Sequence, residues 1–240
     1  MNAYSAGLNN VYIIGCGGVA SWLLPLMVKL LSNQSPPPCI TLVDGDRLEK
    51  RNLDRQLFNL DHVGKPKAEM LVTKYKDQYP RLVAINEFLM DGSLQPEPGS
   101  LFFGCADNHA ARRMVLSLVD QWGGKAIIGG NEYTDSEAYI YDPEWRGTHL
   151  DPRVYYPEIL TDTTGDPTRP VSCQGEATVA HPQLAWANFS AANAMVGLFW
   201  FYYVERQKLS RADTYHVWPV RHSNTFSRFT TQLIGKETIT

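Results

Sequence analysis

The stretch VYIIGCGGVA, Val11–Ala20, decides how the rest of the chain is to be read. It opens with four apolar residues, three of them β-branched, the composition of a strand buried on both faces. Gly15, Gly17 and Gly18 follow, and an apolar segment then predicts a helix from about Gly18 to Leu31, which the prolines at 36–38 end. Glycines at such a junction let the backbone turn tightly and approach a ligand closely. The helix start adds free N–H groups and the positive end of the dipole. That is the pattern of a mononucleotide half-site. Alone it does not separate ATP from NAD, and a tight turn with no ligand explains it equally simply.

Working outward, buried strands are predicted at Cys39–Asp44, Leu82–Phe88, Leu101–Ala106, Lys125–Gly130 and Glu137–Asp142. Helices are predicted from Pro66 to about Tyr79, with proline in the first turn, and from near Asn108, with Ala111, Val115, Leu118 and Trp122 as its apolar stripe. Strands alternating with helices imply an α/β fold, a Rossmann-like and mostly parallel sheet with helices on both faces. Periodicity fails from Pro143 to Pro182, read as a long crossover loop within a single domain over 1–240. A helix returns at about Gln183–Lys208. The tail segments Thr214–Val220 and Arg228–Ile234 read as antiparallel C-terminal strands at a sheet edge.

The net charge of −3 and pI of about 6.1 leave no basic excess for nucleic acid. Cys16, Cys39, Cys105 and Cys173 form no C-x-x-C pair, so no structural zinc is expected, and thiols beside apolar strands point to a cytoplasmic protein. The N-terminus has no signal-peptide pattern. Leu184–Val204 carries no charge and is long enough to span a bilayer, but Asn188, Ser190 and Asn193 within it favour a buried helix or a subunit interface over a membrane. Its aromatic end, Gly197–Glu205, is expected in the core or in a homodimer interface.

The segment Leu42–Lys67 mixes Arg47, Lys50, Arg51, Arg55, Lys65 and Lys67 with Asp44, Asp46, Glu49, Asp54 and Asp61. Asp44, ending the second strand, is placed to accept from a ribose. Lys67 begins a helix, where a cation is slightly disfavoured unless an anion is bound. If the intervening turn folds back over the glycine loop, Arg55 and Lys67 converge on one phosphate chain. The plainer readings are a solvated Lys67 and an Arg55 paired with Asp54 or Asp61. Asp107 lies at the carboxyl end of the fourth strand. It is either a helix cap or a hard-oxygen ligand for Mg²⁺.

The ordered set G-x-G-G (Gly15–Gly18), D-G-D with Asn52, Arg55 and Gln56 (from Asp44), G-K-P-K (Gly64–Lys67) and A-D-N-x-x-x-R (Ala106–Arg112) resembles the ThiF/MoeB/HesA family. This is the adenylation fold of ubiquitin-activating enzymes. The compact length also resembles the ThiF-like members of PRTRC-type bacterial operons that encode their own ubiquitin-like proteins. The resemblance implies ATP-dependent adenylation of the C-terminal carboxylate of a ubiquitin-like or sulfur-carrier protein, with pyrophosphate released and Mg²⁺ as cofactor. It implies that Gly15, Gly17 and Gly18 line the phosphates and that Asp44 holds the ribose, with Asp46 beside it. Asn52, Arg55 and Lys67 would contact phosphates, Gln56 would shape the loop, Asp107 would bind the metal, and Asn108 next to it would belong to the nucleotide-binding set. Cys173, in VSCQGEATVAHP, would take the acyl group as a thioester, carry a persulfide, or be incidental.

The chain departs from the family in lacking zinc-binding cysteine pairs and a basic N-terminal helix. Arg51, Arg112, Arg113 or another protein would have to replace the arginine such a helix supplies. Two other readings compete. An NAD-dependent oxidoreductase accounts for the glycines and Asp44 but leaves Arg55, Lys67 and Asp107 idle. A catalytically silent partner that only binds a ubiquitin-like protein leaves the site set unexplained.

Overall fold

The computed structural model describes residues 7–131, 136–163 and 184–205. Six strands form one sheet: β1 (Asn10–Ile14), β2 (Cys39–Val43), β3 (Leu82–Ile85), β4 (Leu101–Gly104), β5 (Lys125–Asn131) and β6 (Ser136–Tyr141). Their order is β3-β2-β1-β4-β5-β6. Neighbours from β3 to β5 are parallel, and β6 runs antiparallel to β5 with Gly129 opposite Ala138. The order reverses between β1 and β4, and ligands of such sheets bind in the crevice at the strand carboxyl ends there.

Alternation along β1 divides the core. Val11 and Ile13 face one layer with Leu23, Leu24 and Met27 of α1 (Gly18–Leu31) and Leu71 of α2 (Lys67–Tyr75). Tyr12 and Ile14 face the other, with Val115, Leu116 and Val119 of α3 (His109–Trp122). Side chains two apart share a sheet face, so one apolar run feeds both layers. After the short α4 (Pro152–Tyr155) and α5 (Glu158–Thr161), the helix α6 (Ala185–Phe199) lies in the α1 layer through Ala191, Ala192 and Met195. It continues as a π-helical segment, Trp200–Glu205. The aromatic run at the end of α6 enters this core: Leu198, Phe199, Tyr202 and Val204 are buried. No helix among the described residues is long and apolar enough to cross a membrane.

Three expectations change. The third strand, expected buried over Leu82–Phe88, ends at Ile85 and lies at the sheet edge with Val83 exposed. The second helix ends at Tyr75 rather than near Tyr79, and Pro66 is its cap residue rather than part of its first turn. The stretch from Pro143 holds helical turns as far as Thr161. Two Asp-Pro pairs within the stretch read as loop are helix starts. Asp142 accepts from Glu144 N at 3.1 Å and Asp151 from Arg153 N at 3.0 Å, each ahead of a proline, which loses nothing at a position whose N–H has no helical partner. Arg153 then ties the segment down, reaching Asp151 at 2.8 Å and Asp120 of α3 at 2.6 Å. The predicted tail strands, residues 164–183 of the crossover and Cys173 lie outside the described residues.

Gly15 holds the sheet's two halves close. Its φ is +86°, and a Cβ there would sit 2.8 Å from the Ala106 nitrogen and 3.1 Å from the Cys105 carbonyl carbon. Gly15→Ala therefore meets both a left-handed backbone and a backbone clash, and we expect a loss of roughly 2–4 kcal/mol in urea unfolding. A midpoint equal to that of the wild type would contradict the tight approach.

Candidate nucleotide site

The site is assembled on the loops after β1, β2 and β4. Gly17 is the N-cap of α1, no side chain caps that end, and its first turn holds no acidic residue. The helix thus presents backbone donors and the positive dipole end to whatever lies above it. Above Gly17 the space is open, with Gln56 Nε2 3.7 Å from where a Cβ would be. Above Gly18 it is filled: a Cβ there would collide with the Asn188 side-chain amide of α6. Gly18 is small because a second helix packs over it.

Asp44 closes the loop from the β2 side. Its carboxylate accepts from Cys16 N at 2.5 Å and from Asp46 N at 2.7 Å. Each oxygen keeps further lone pairs for a ligand hydroxyl. Asp46 pairs with Lys67 Nζ at 2.8 Å, and the Lys67 N–H donates to the Asp46 carbonyl at 3.0 Å. Lys67 is thereby held, almost fully buried, on the first turn of α2 with ammonium donors to spare.

The charge-rich turn does fold back over the glycine loop. Leu57 N donates to Ser21 Oγ at 3.1 Å and the Trp22 indole N–H to the Arg55 carbonyl at 3.3 Å. Asn52 braces the turn: its side chain accepts from Glu49 N at 3.0 Å and its carbonyl takes the N–H groups of Arg55 and Gln56. The Arg55 guanidinium donates to the Arg51 carbonyl at 3.1 Å and Asp54 at 3.3 Å, the pairing the plainer reading expected, yet its Nε is buried with no partner. Gln56 Oε1 and Asn188 Oδ1 are also buried without partners. A buried polar atom left unsatisfied costs about 1–3 kcal/mol, so the Gln56 and Asn188 oxygens on side chains beside Gly17 and Gly18, with Arg55 Nε on the turn folded over α1, mark a place where something polar belongs.

Asp107 follows the Ala106 backbone that touches Gly15; it is exposed and no described residue bonds it. Asn108, grouped with the ligand residues by sequence, has a structural role, since its side chain caps α3 by accepting from Ala111 N at 2.8 Å. No group of three or more His, Cys, Asp or Glu residues is placed to hold a metal among the described residues. Of the arginines considered as replacements, Arg51 pairs with Glu49 at 2.7 Å on the surface, Arg112 faces Glu137 at 3.7 Å, and Arg113 grips the Ile159 carbonyl of α5 at 2.9 Å. The sequence reading missed Asn188 as a site residue. Its signal was there, a polar residue in an uncharged helix, but that was weighed only against a membrane. Cys16, inside the glycine loop, is buried, and burial, with Asp44 and Cys105 nearby, raises its thiol well above the usual value.

A doubly wound α/β domain with a glycine loop at its switch point, flanked by an acidic strand end and a folded-back basic turn, defines a nucleotide-binding class of protein. A model of the ThiF family matches residues 7–204, and the chain belongs to that family. It is similar to the human ubiquitin-like modifier-activating enzyme 7, 27% identical over 140 residues, which are 55% of this chain and 14% of that enzyme. Among solved structures it is similar to E. coli MccB with ATP (TM-score 0.60, 20% identity, 95% of this chain and 67% of that one). Selenomethionine PaaA also shares the fold (TM-score 0.56, 18% identity, 82% of this chain and 56% of that one). The chain thus spans a small part of the human enzyme and little more than half of PaaA.

Burial raises the Asp44 carboxyl above the ordinary carboxylate value, against the pull of Lys67 and the two N–H donors. A carboxyl raised by folding stabilises the fold fully below its unfolded pKa, about 3.9, and that stability is lost as pH rises through the folded value. The stability of the wild type relative to Asp44→Asn should therefore fall as pH rises from about 4. Denaturant midpoints of both proteins across that range test it, and a difference that grows with pH would contradict it.

Proposed function

We propose that the protein adenylates the C-terminal carboxylate of a ubiquitin-like or sulfur-carrier protein ending in glycine, consuming ATP and releasing pyrophosphate. One observation carries the reading: Gln56 Oε1 and Asn188 Oδ1, on side chains beside Gly17 and Gly18, and Arg55 Nε, on the turn whose carbonyl is bonded to Trp22 of α1, are buried and unpartnered. They supply donor and acceptors together, which suits a phosphate chain joined to a hydroxylated sugar better than a bare anion. The comparisons support it. E. coli MccB has been crystallised with ATP, and with AMPCPP and MccA, and the human relative is named for activating a ubiquitin-like modifier.

In this reading a carboxylate oxygen of the acceptor attacks the α-phosphorus, the bond to the β-phosphate breaks, and an acyl-adenylate and pyrophosphate form. Gly17 leaves the α1 donors open to the phosphates, Gly15 and Gly18 let the loop close against Ala106 and Asn188 beside them, and Asp44 takes the ribose hydroxyls. Arg55 and Lys67 neutralise charge on the phosphates, with Asn52, Asp46 and Gln56 holding them in place. Such catalysis rests on positioning and on electrostatic stabilisation rather than on a dedicated base. Asp107 would hold Mg²⁺, which supplies charge neutralisation at the phosphates; magnesium carried by a nucleotide needs only one or two protein carboxylates. Cys173 would act after adenylation, by thioester or persulfide, if it acts. An NAD reading leaves the partnerless Arg55 nitrogen without a role.

The same reading includes a cytoplasmic homodimer. Trp186 and Phe189 are about half exposed on α6, with Phe189 edge-on to Trp22 at 5.5 Å, an apolar surface that a second copy would cover. Light scattering at micromolar concentration should give twice the chain mass, and a monomer would contradict it.

Pyrophosphate exchange into ATP, driven by a protein or peptide ending in Gly-Gly, tests the reaction. Arg55→Ala, Lys67→Ala and Asp107→Ala should each lower exchange about 10²-fold or more. Exchange that survives all three would place the chemistry elsewhere.

A further inference from the structure

One face of α1 meets both the basic turn and α6. Gly18, Ser21 and Trp22 lie within one helical turn, three and four residues apart, and so share that face. Asn188 of α6 packs over Gly18, and Phe189, next along α6, sets its ring edge-on to the partly buried Trp22 indole with centroids 5.5 Å apart. Toward the turn, the buried Ser21 hydroxyl donates to the Gly18 carbonyl at 2.8 Å and accepts from Leu57 N at 3.1 Å. Beside it the Trp22 indole N–H donates to the Arg55 carbonyl at 3.3 Å. From α2, Lys74 donates to the Leu57 carbonyl at 2.6 Å.

Leu57 is therefore held from two helices, whereas Arg55 is held from one. The other bonds of Arg55, with Arg51, Asn52 and Asp54, stay inside its own turn. Among the described residues the indole is the group that ties Arg55 by a hydrogen bond to another element. The tie bears on where the guanidinium points. Exposed Asp54 draws Nη1 outward at 3.3 Å, while Nε is buried without a partner. A long side chain takes the rotamers its backbone allows, so fixing the carbonyl of the same residue fixes the direction from which the side chain starts. Packing against Phe189 needs only a ring, and phenylalanine would supply it. An indole adds a donor with no acceptor, which suits a lone backbone carbonyl.

We propose that Trp22 is a positioning residue for the phosphate-binding arginine: its indole N–H holds the Arg55 peptide against α1, and Phe189 keeps the indole in the orientation that reaches it. This role rests on the adenylation reading for the contact between Arg55 and the phosphates. It goes beyond that reading in assigning a residue that touches no ligand itself.

Calorimetric titration of ATP into the full chain, as wild type, Trp22→Phe, Arg55→Ala and the double variant, tests it. Trp22→Phe keeps a ring against Phe189 and removes the N–H. It should weaken ATP binding about 5-fold, the worth of one hydrogen bond. In the Arg55→Ala background the same change should alter ATP affinity by less than about 2-fold, because the side chain it positions is gone. A tryptophan that serves packing alone would cost the same with and without Arg55. Equal losses in the two backgrounds, or Trp22→Phe protein that binds ATP as tightly as the wild type, would overturn the inference and leave the adenylation reading standing. A wild type that binds no ATP would sink the adenylation reading and this role with it.

Discussion

Where Gly15 would carry a side chain, the backbone of Cys105 and Ala106 passes instead. That close approach brings the loops after β1 and β4 together at the point where the strand order reverses. The Asp44 carboxylate draws the β2 loop to the same place by accepting from Cys16 N, and Asp46 carries Lys67 with it. Three strand ends separated along the chain thus share one rim, and the contacts that join them are mainly backbone packing and hydrogen bonds to backbone N–H groups. The rim is a property of the sheet. The groups it displays have no other reason to meet.

Satisfaction of polar groups is uneven across the molecule. The segment after β6 is closely paired, with Asp142 taking Lys125 at 2.5 Å and Tyr202 at 2.8 Å, and Asp151 and Asp120 both held by Arg153. These pairs pull the Asp142 and Asp151 carboxyls below their ordinary value despite burial. At the carboxyl edge of the sheet the pattern inverts. Among the described residues the buried polar atoms left over fall into two sets: those of Arg55, Gln56 and Asn188, and those of His109, Arg112, Tyr139 and Tyr155. Each such atom carries a desolvation cost that the paired segment avoids, which a polar ligand at the α1 set would relieve.

Much of this was legible in the sequence because it is local. Apolar β-branched runs ending in glycine or aspartate mark strands, and the ordered motifs put Gly15, Asp44, Arg55, Lys67 and Asp107 on one edge once the sheet is parallel. What was not legible is what depends on distant packing. Asn188 reaches Gly18 only because α6 crosses α1, and its signal, a polar residue in an uncharged helix, does not say against which loop it lands. Tyr139 and Tyr155 belong to separate elements, and their meeting depends on Arg153 anchoring α4 to α3 and on Arg113 holding α5. The helical turns after Pro143 were read as loop because they are too short to show periodicity, and proline breaks a helix interior and begins a helix equally well. The cap that the Asn108 oxygen supplies to α3 was not read from the sequence, which placed Asn108 only in the nucleotide-binding set.

The central claim is that Gly17, Arg55, Lys67 and Asp107 surround one triphosphate. A crystal structure of the protein soaked with a non-hydrolysable ATP analogue and Mg²⁺ tests this directly. The account predicts phosphate density over Gly17 within hydrogen-bonding distance of Arg55 and Lys67, with the metal on Asp107. Nucleotide density at any other place on the sheet, or phosphates with those two cations turned away, would contradict it.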